Sequence, residues 1–211
     1  MTEMQKKYYD KRGATLVKNL ESRHFPAYYC STKEEALEKA LSLIPSGSSV
    51  SWGGSLTCQQ IGLLDAVRAG QYIAIDRDKA KSFPEREEIM RQGVLADTFL
   101  TSANAMSIDG QMVNIDGTGN RLAAICYGAK QVLVVVGMNK VMSSLETAIA
   151  RARDVAAPMN EQRFDFPTPC NTTGTCADCK SERCICNQML ITRNGRGDRI
   201  KFILVGEDLG L

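Results

Sequence analysis

Five cysteines fall within seventeen residues of the stretch PCNTTGTCADCKSERCICN: Cys170, Cys176, Cys179, Cys184 and Cys186. Cys176 and Cys179 have the C-x-x-C spacing at which two thiolates of one turn can chelate one ion. Thiolates select zinc, copper(I) or iron–sulfur clusters. Spacing alone leaves two readings open, a zinc knot that only pins the loop and a [4Fe–4S] cluster with a redox role. The only histidine, His24, lies in the polar segment ESRHFP. A metal here is therefore to be held by cysteines or carboxylates, and a Cys–His or Ser–His catalytic pair has no motif to rest on. Cys30, Cys58 and Cys126 fall on expected strand or helix faces and read as core fillers.

A second pattern is Ser51-Trp52-Gly53-Gly54-Ser55-Leu56-Thr57. A strand, two glycines, a hydroxyl residue and a helix start are a way for backbone N–H groups to cradle a phosphate or carboxylate. No Gly-Lys-Ser/Thr follows, so it is not a Walker loop. The plain alternative is a tight strand-to-helix turn. A third pattern is the polar, glycine-punctuated run from Thr101 to Asn120. Asp109-Gly110 separates two short apolar pieces, Met106 to Ile108 and Met112 to Ile115, as in a β-hairpin. Two Asp-Gly turns account for the backbone but not for the crowding of Asn104, Asn114 and Asn120. Asp109 is a candidate acid, base or hydroxyl-binding group, against the plainer reading of an Asp chosen for its turn.

The elements that must position these groups alternate. An amphipathic helix is expected over residues 3–22, interrupted or frayed at Gly13. Strands follow at Phe25 to Cys30, Ser49 to Trp52 and Tyr72 to Ile75. Thr32 with Glu35 marks a capped helix start. The helix after Ser55 carries Ile61, Leu64 and Val67 and closes at Gly70. A further helix runs over Glu85 to Gln92. Thr118 or Asn120 is the expected cap of a short helix. Val132 to Val136 has no polar alternation and predicts a strand buried on both faces of a parallel sheet. A helix over Ser143 to Ala156 is expected to give way to loop at Pro158. Met189 to Arg193 and Ile200 to Val205 predict two late strands joined by Asn194-Gly195-Arg196-Gly197. The alternation predicts an α/β domain with right-handed crossovers.

The length of 211 residues suits one domain over 1–211, with an N-terminal helix (1–24) and a cysteine-rich loop (167–187). A net charge of +2 leaves no electrostatic footprint for nucleic acid. No apolar run approaches the ~20 residues of a membrane helix. The start MTEMQKKYYDK lacks the apolar core of a signal peptide, so a cytoplasmic location is the expectation. In that setting the cysteines argue for metal or redox chemistry rather than disulfides.

Together these stretches resemble the LUD-domain (lactate utilisation) family. The resemblance is carried by the Trp52-Gly53-Gly54-Ser55 turn, Thr101-Ser-Ala-Asn-Ala, Asp109-Gly110, Val113-Asn-Ile-Asp-Gly-Thr-Gly-Asn-Arg121, Val136-Gly-Met-Asn-Lys140, Ala156-Ala-Pro158 and the cysteine loop. It implies a NagB/RpiA/CoA-transferase-like three-layer α/β domain with a mostly parallel sheet. It implies a ligand pocket of Gly53, Gly54, Ser55, Asn104, Asp109, Asn114, Asp116 and Asn120, taking a small anionic ligand, an organic acid or a phosphorylated compound. It implies a place in organic-acid (lactate-type) oxidation, as a component of an oxidoreductase system, and leaves room for iron–sulfur partner proteins and a homodimer. The loop is similar to one in which Cys170, Cys176, Cys179 and Cys186 hold a [4Fe–4S] cluster, with zinc as the alternative; Cys184 stands where an arginine is usual. The competing implications are a non-redox isomerase- or transferase-like enzyme and a ligand-binding regulatory module, each with a structural zinc.

Overall fold

A computed structural model describes residues 1–211. The apolar run at Val132–Val136 lies inside a strand at the centre of the main sheet. The strands are β1 (Ala27–Cys30), β2 (Ser49–Trp52), β3 (Ile73–Ile75), β4 (Thr98–Thr101), β5 (Ala105–Ser107), β6 (Met112–Asp116), β7 (Gln131–Gly137), β8 (Val141–Met142), β9 (Gln188–Thr192) and β10 (Ile200–Val205). Six of them form an all-parallel sheet in the order β1-β10-β7-β4-β2-β3. Val132, Val134 and Val136 of β7 face one side with Phe202 and Leu204 of β10. Leu133 and Val135 face the other with Ile203 and Val205. A strand covered on both faces has no polar position to spare, which is why the sequence shows no alternation there.

The helices are α1 (Glu3–Ser22), α2 (Lys33–Leu43), α3 (Leu56–Gln60), α4 (Leu63–Ala69), α5 (Phe83–Val94), α6 (Asn120–Ala123), α7 (Leu145–Arg151), α8 (Ala157–Glu161) and α9 (Pro169–Thr173). Leu16 and Leu20 of α1 pack on the first face of the sheet, and Ala36, Ala40, Leu64 and Val67 of α2 and α4 on the second. The result is the mostly parallel three-layer α/β domain that the resemblance implies. A smaller sheet, β8-β5-β6-β9, stands beside it. Its β5–β6 hairpin turns at Asp109-Gly110, with Gly110 at φ +87° against Asn19 and Arg23 of α1. A Cβ at Gly110 would be strained by that φ and crowded by α1.

The structure differs from the sequence expectations at several places. α1 runs unbroken through Gly13, where Tyr29 fills the space that a Cβ would take. The helix after Ser55 splits into α3 and α4 at Gly62, which is left-handed at φ +76°. Neither Thr118 nor Asn120 caps α6; Gly119 does, without a side-chain bond. The helix from Leu145 does not stop at Pro158. A π-turn over Ala152–Ala156 carries it into α8, which has Pro158 near its start. There a proline's missing N–H and its ring cost little, because the π-turn has already shifted the hydrogen-bond register. The two expected late strands are both present, in different sheets: β9 pairs antiparallel with β6 and β10 parallel with β7. Cys30 and Cys58 are buried as expected, but Cys126 is exposed.

Candidate functional site

The carboxyl ends of adjacent parallel strands are where open α/β sheets bind ligands. The chain leaves β2 into Gly53–Thr57, β4 into Ser102–Asn104 and β7 into a 3₁₀ turn ending at Lys140. These three exits, with the turn after β6 and the end of α8, enclose a cavity of about 260 Å³. Of the pocket residues expected from sequence, Gly53, Gly54, Ser55, Asn104, Asp116 and Asn120 line it. The turn brings guanidinium groups close to the backbone. A Cβ at Gly54 would lie 2.8 Å from Arg77 Nη2 and 3.8 Å from Arg163 Nη1.

Several of the expected ligand groups serve the cavity's own architecture. Ser55 Oγ accepts the Cys58 N–H and caps α3, a helix too short for a sizeable dipole. Asp116 accepts the N–H groups of Thr118 (3.1 Å) and Gly119 (3.0 Å) and pairs with Arg121 at 3.2 Å. Asn104 Oδ1 accepts from Ile115 N and from Arg121 Nη2. Asn114 is fully buried behind the wall; its Nδ2 donates to Ser102 O and its Oδ1 has no partner. Asp109 is not brought to the cavity. It sits 64% exposed at the hairpin tip, ion-paired with Arg23.

The charges on the cavity wall are lopsided. Arg77, Arg86, Arg121, Lys140 and Arg163 line it, and Asp116 is the only acidic side chain among the lining residues. Asp116 is engaged by Arg121. Asp78 serves Arg68, Arg77 and Arg86 together, at 3.4, 3.9 and 3.6 Å. Arg77 Nε is buried with no acceptor, and its pKa is pushed down by burial and by Arg86 and Arg163 nearby. Arg163 donates only to a neutral amide, Asn160 Oδ1. Lys140 is 4% exposed and meets three neutral oxygens: Thr57 Oγ1 at 2.9 Å, Ser102 Oγ at 3.3 Å and Ala103 O at 3.3 Å. Burial, then Arg151 and Arg121, push its pKa down to about 7. Uncompensated cations at a concave site attract anions. Sequence reading does not assign Arg77, Arg163 or Lys140 to the pocket: Arg77 and Arg163 carry no local motif, and Lys140 enters only as the end of the Val136-Gly-Met-Asn-Lys140 stretch.

The second cavity, of about 240 Å³, is lined by all five cysteines of the C-terminal loop. α9 places Cys170, with Thr168 as its cap, and the rest of the loop is irregular. Thr168 Oγ1 lies 3.6 Å from Cys170 Sγ and donates to Glu161 Oε1 at 2.9 Å. Glu161 is fully buried and lines the same cavity, and its Oε2 has no partner. Burial, then the neighbouring Cys184, Cys170 and Cys176, push the Cys186 thiol up to about 12. Such crowding is what a cation relieves. The donor set fits a thiolate-loving metal or cluster, and a buried acceptor without a donor fits it too. As placed, however, no three of these side chains close on one point tightly enough to hold an ion. Holding one requires the thiols to turn inward.

The two cavities are neighbours. Ile115 and Ile185 line both, and Cα of Ile185 would meet a Cβ of Gly117 at 3.2 Å. α8 and the π-turn before it contribute Ala157, Pro158 and Glu161 to the thiol side and Ala156 and Asn160 to the cationic side.

A DUF162 family protein from Deinococcus radiodurans is similar in fold, with a TM-score of 0.53 at 12% identity over 93% of this chain and 97% of that one. Weaker likenesses are to ribose 5 phosphate isomerase A from Neisseria gonorrhoeae (TM-score 0.34, 16% identity, 54% of each chain) and to eIF2B delta from Chaetomium thermophilum (0.35, 14%, 64% of this chain and 54% of that). No curated protein matches. The LUD domain model matches residues 14–205, a span that holds the main sheet, all of the loop cysteines and every lining residue of the two cavities except Leu211, and the chain belongs to the LUD-domain family.

Proposed function

We propose that this protein binds a small organic or phosphorylated anion in the cationic cavity and carries a thiolate-held [4Fe–4S] cluster beside it, as a component of organic-acid (lactate-type) oxidation. The observation that carries this reading is the shared wall: a thiol-lined cavity and an anion-attracting cavity meet at Ile115 and Ile185. Cys170, Cys176, Cys179 and Cys186 would hold the group, with Cys184 the spare thiol. When bound, such a cluster takes up and returns single electrons. The chain's own residues do the rest. Arg77 and Arg163 bind the anion at Gly54, where the absence of a Cβ lets it approach. Arg121, fixed by Asp116 and Asn104, orients it. Ile115 and Ile185 keep water from the partition between the cavities. The ligand and the electron partners of such a system are small molecules and iron–sulfur proteins, and a four-thiolate zinc site is the competing occupant.

Anaerobic purification and reconstitution, followed by iron, sulfide and zinc analysis, tests the reading. Iron and sulfide at about four each per chain, with an absorption and electron-spin signature that shifts on adding a small organic or phosphorylated acid, is the expected result. Stoichiometric zinc that iron cannot replace would assign the loop to structure and leave the cationic cavity to non-redox chemistry.

A further inference from the structure

Lys140 is the most unusual charged group in the molecule. Lysine is almost never fully buried without a carboxylate partner. Here the amine is 4% exposed, lines the cationic cavity with Leu211, lies against Gly210, and has no Asp or Glu within ion-pair distance. The groups facing it are known from each element around it. Arg151 of α7 and Arg121 of α6 oppose its charge, and Cys58 of α3 alone favours it. Arg151 pairs with no Asp or Glu; it donates to Asn104 O at 2.6 Å and to an oxygen of Leu211, the last residue in the sequence, at 3.3 Å.

The hydrogen-bond geometry suits both protonation states. An ammonium donates three hydrogens, to Thr57 Oγ1, Ser102 Oγ and Ala103 O. A neutral amine donates two and accepts one. Two of the three partners are hydroxyls, which can reverse direction by turning one O–H bond. The amine can therefore gain or lose a proton without moving a heavy atom.

We propose that Lys140 makes this cavity selective for dianions by taking up a proton as the ligand enters, so that the anion itself supplies the counter-charge the amine lacks. The proposal rests on reading the cavity as an anion site and narrows its ligand by charge: a phosphate monoester or a dicarboxylate, and not a monocarboxylate such as lactate itself. One charge answers the Arg77–Arg163 pair at Gly54, and the second answers Lys140. The free amine, held near 7, is mostly neutral at pH 8; an anion beside it raises its affinity for the proton. Ligand binding then consumes a proton above about pH 7 and none well below it, and affinity falls as pH rises, by at most about tenfold per unit.

The test is isothermal titration of the intact protein with sulfate and with succinate, in buffers of differing ionisation enthalpy, at pH 6 and pH 8. Sulfate does not titrate in that range, so the proton counted with it belongs to the protein; succinate is still partly protonated at pH 6, so its proton count is read at pH 8. Acetate at matched ionic strength is the monoanion control. The expected result is binding of a dianion at least about tenfold tighter than acetate at pH 6. At pH 8 the uptake should approach one proton per site, and at pH 6 it should be near zero. Sulfate the tighter of the two indicates a phosphate ester; succinate the tighter indicates a dicarboxylate. Lys140→Gln should lose the uptake, and Lys140→Arg should keep dianion binding without it. Dianion binding with no proton uptake at pH 8 overturns the role of Lys140 and leaves the anion site standing. Equal affinity for acetate overturns the dianion selectivity. Failure of all three anions to bind takes the anion site down with it.

Discussion

The two cavities are built by opposite means. The cationic one is walled by the ends of β2, β4 and β7, whose positions are set by a parallel sheet with both faces buried. Its side chains are locked by one another, as Asp116 and Asn104 lock Arg121. The thiol cavity is walled by a loop with one short helix, α9, and its thiols crowd without closing on a point. A ligand entering the first meets a preformed charge pattern. A metal entering the second must finish the site, and its binding energy becomes folding energy for the loop. Preorganisation is strong where the sheet dictates it and weak where only short-range bonds do.

The sharpest way to break this contrast is Cys179→Ser. It removes one arm of the C-x-x-C pair, and iron retained after reconstitution should fall from about four per chain to below one. Sulfate binding in the other cavity should survive. Equal loss of both would show that the cationic cavity is not preformed.

Gly54→Val comes next. Gly54 is not left-handed, so the backbone accepts the change, but the new Cβ would lie 2.8 Å from Arg77 Nη2 and displace it. Sulfate affinity should drop about tenfold or more, near 1.4 kcal/mol, with the melting temperature little changed. Unchanged affinity would remove the glycine turn from the site.

Arg163→Gln deletes an exposed cation with no acid partner. Titration should show a loss of roughly fivefold, about 1 kcal/mol, as for a solvated ion pair. The smallest effect is at Asp109. Asp109→Asn breaks an exposed ion pair with Arg23 and should cost about 0.2–1 kcal/mol, read as a fall of a few degrees at most in thermal melting. Sulfate binding should not change. A change would mean that the hairpin tip communicates with the cavity.

Much of the frame is legible in the sequence because it is written locally. An unbroken β-branched run gives the central strand, Asp109-Gly110 gives the hairpin, and clustered cysteines give the loop. The pocket residues taken from the family resemblance mostly converge, since they follow strand ends. What sequence reading misses is written over long separations. Lys140 meets Thr57 across 83 positions, and Arg77 and Arg163 meet only at Gly54. The Val136-Gly-Met-Asn-Lys140 stretch marks the family, but nothing in it shows that the lysine is buried without an Asp or Glu beside it. The pairing of β9 and β10 was equally hidden. Adjacent strands usually neighbour each other, and only the separate small sheet draws β9 to β6.

Ile185 stands in sequence between two thiols, Cys184 and Cys186, and in space between two cavities. It behaves as a hinge pin shared by two doors. Its backbone lies against Gly117 of the opposite wall. Gly117 leaves Ile185 only the room it occupies, so a side chain there would push the loop out at a residue that both chambers share.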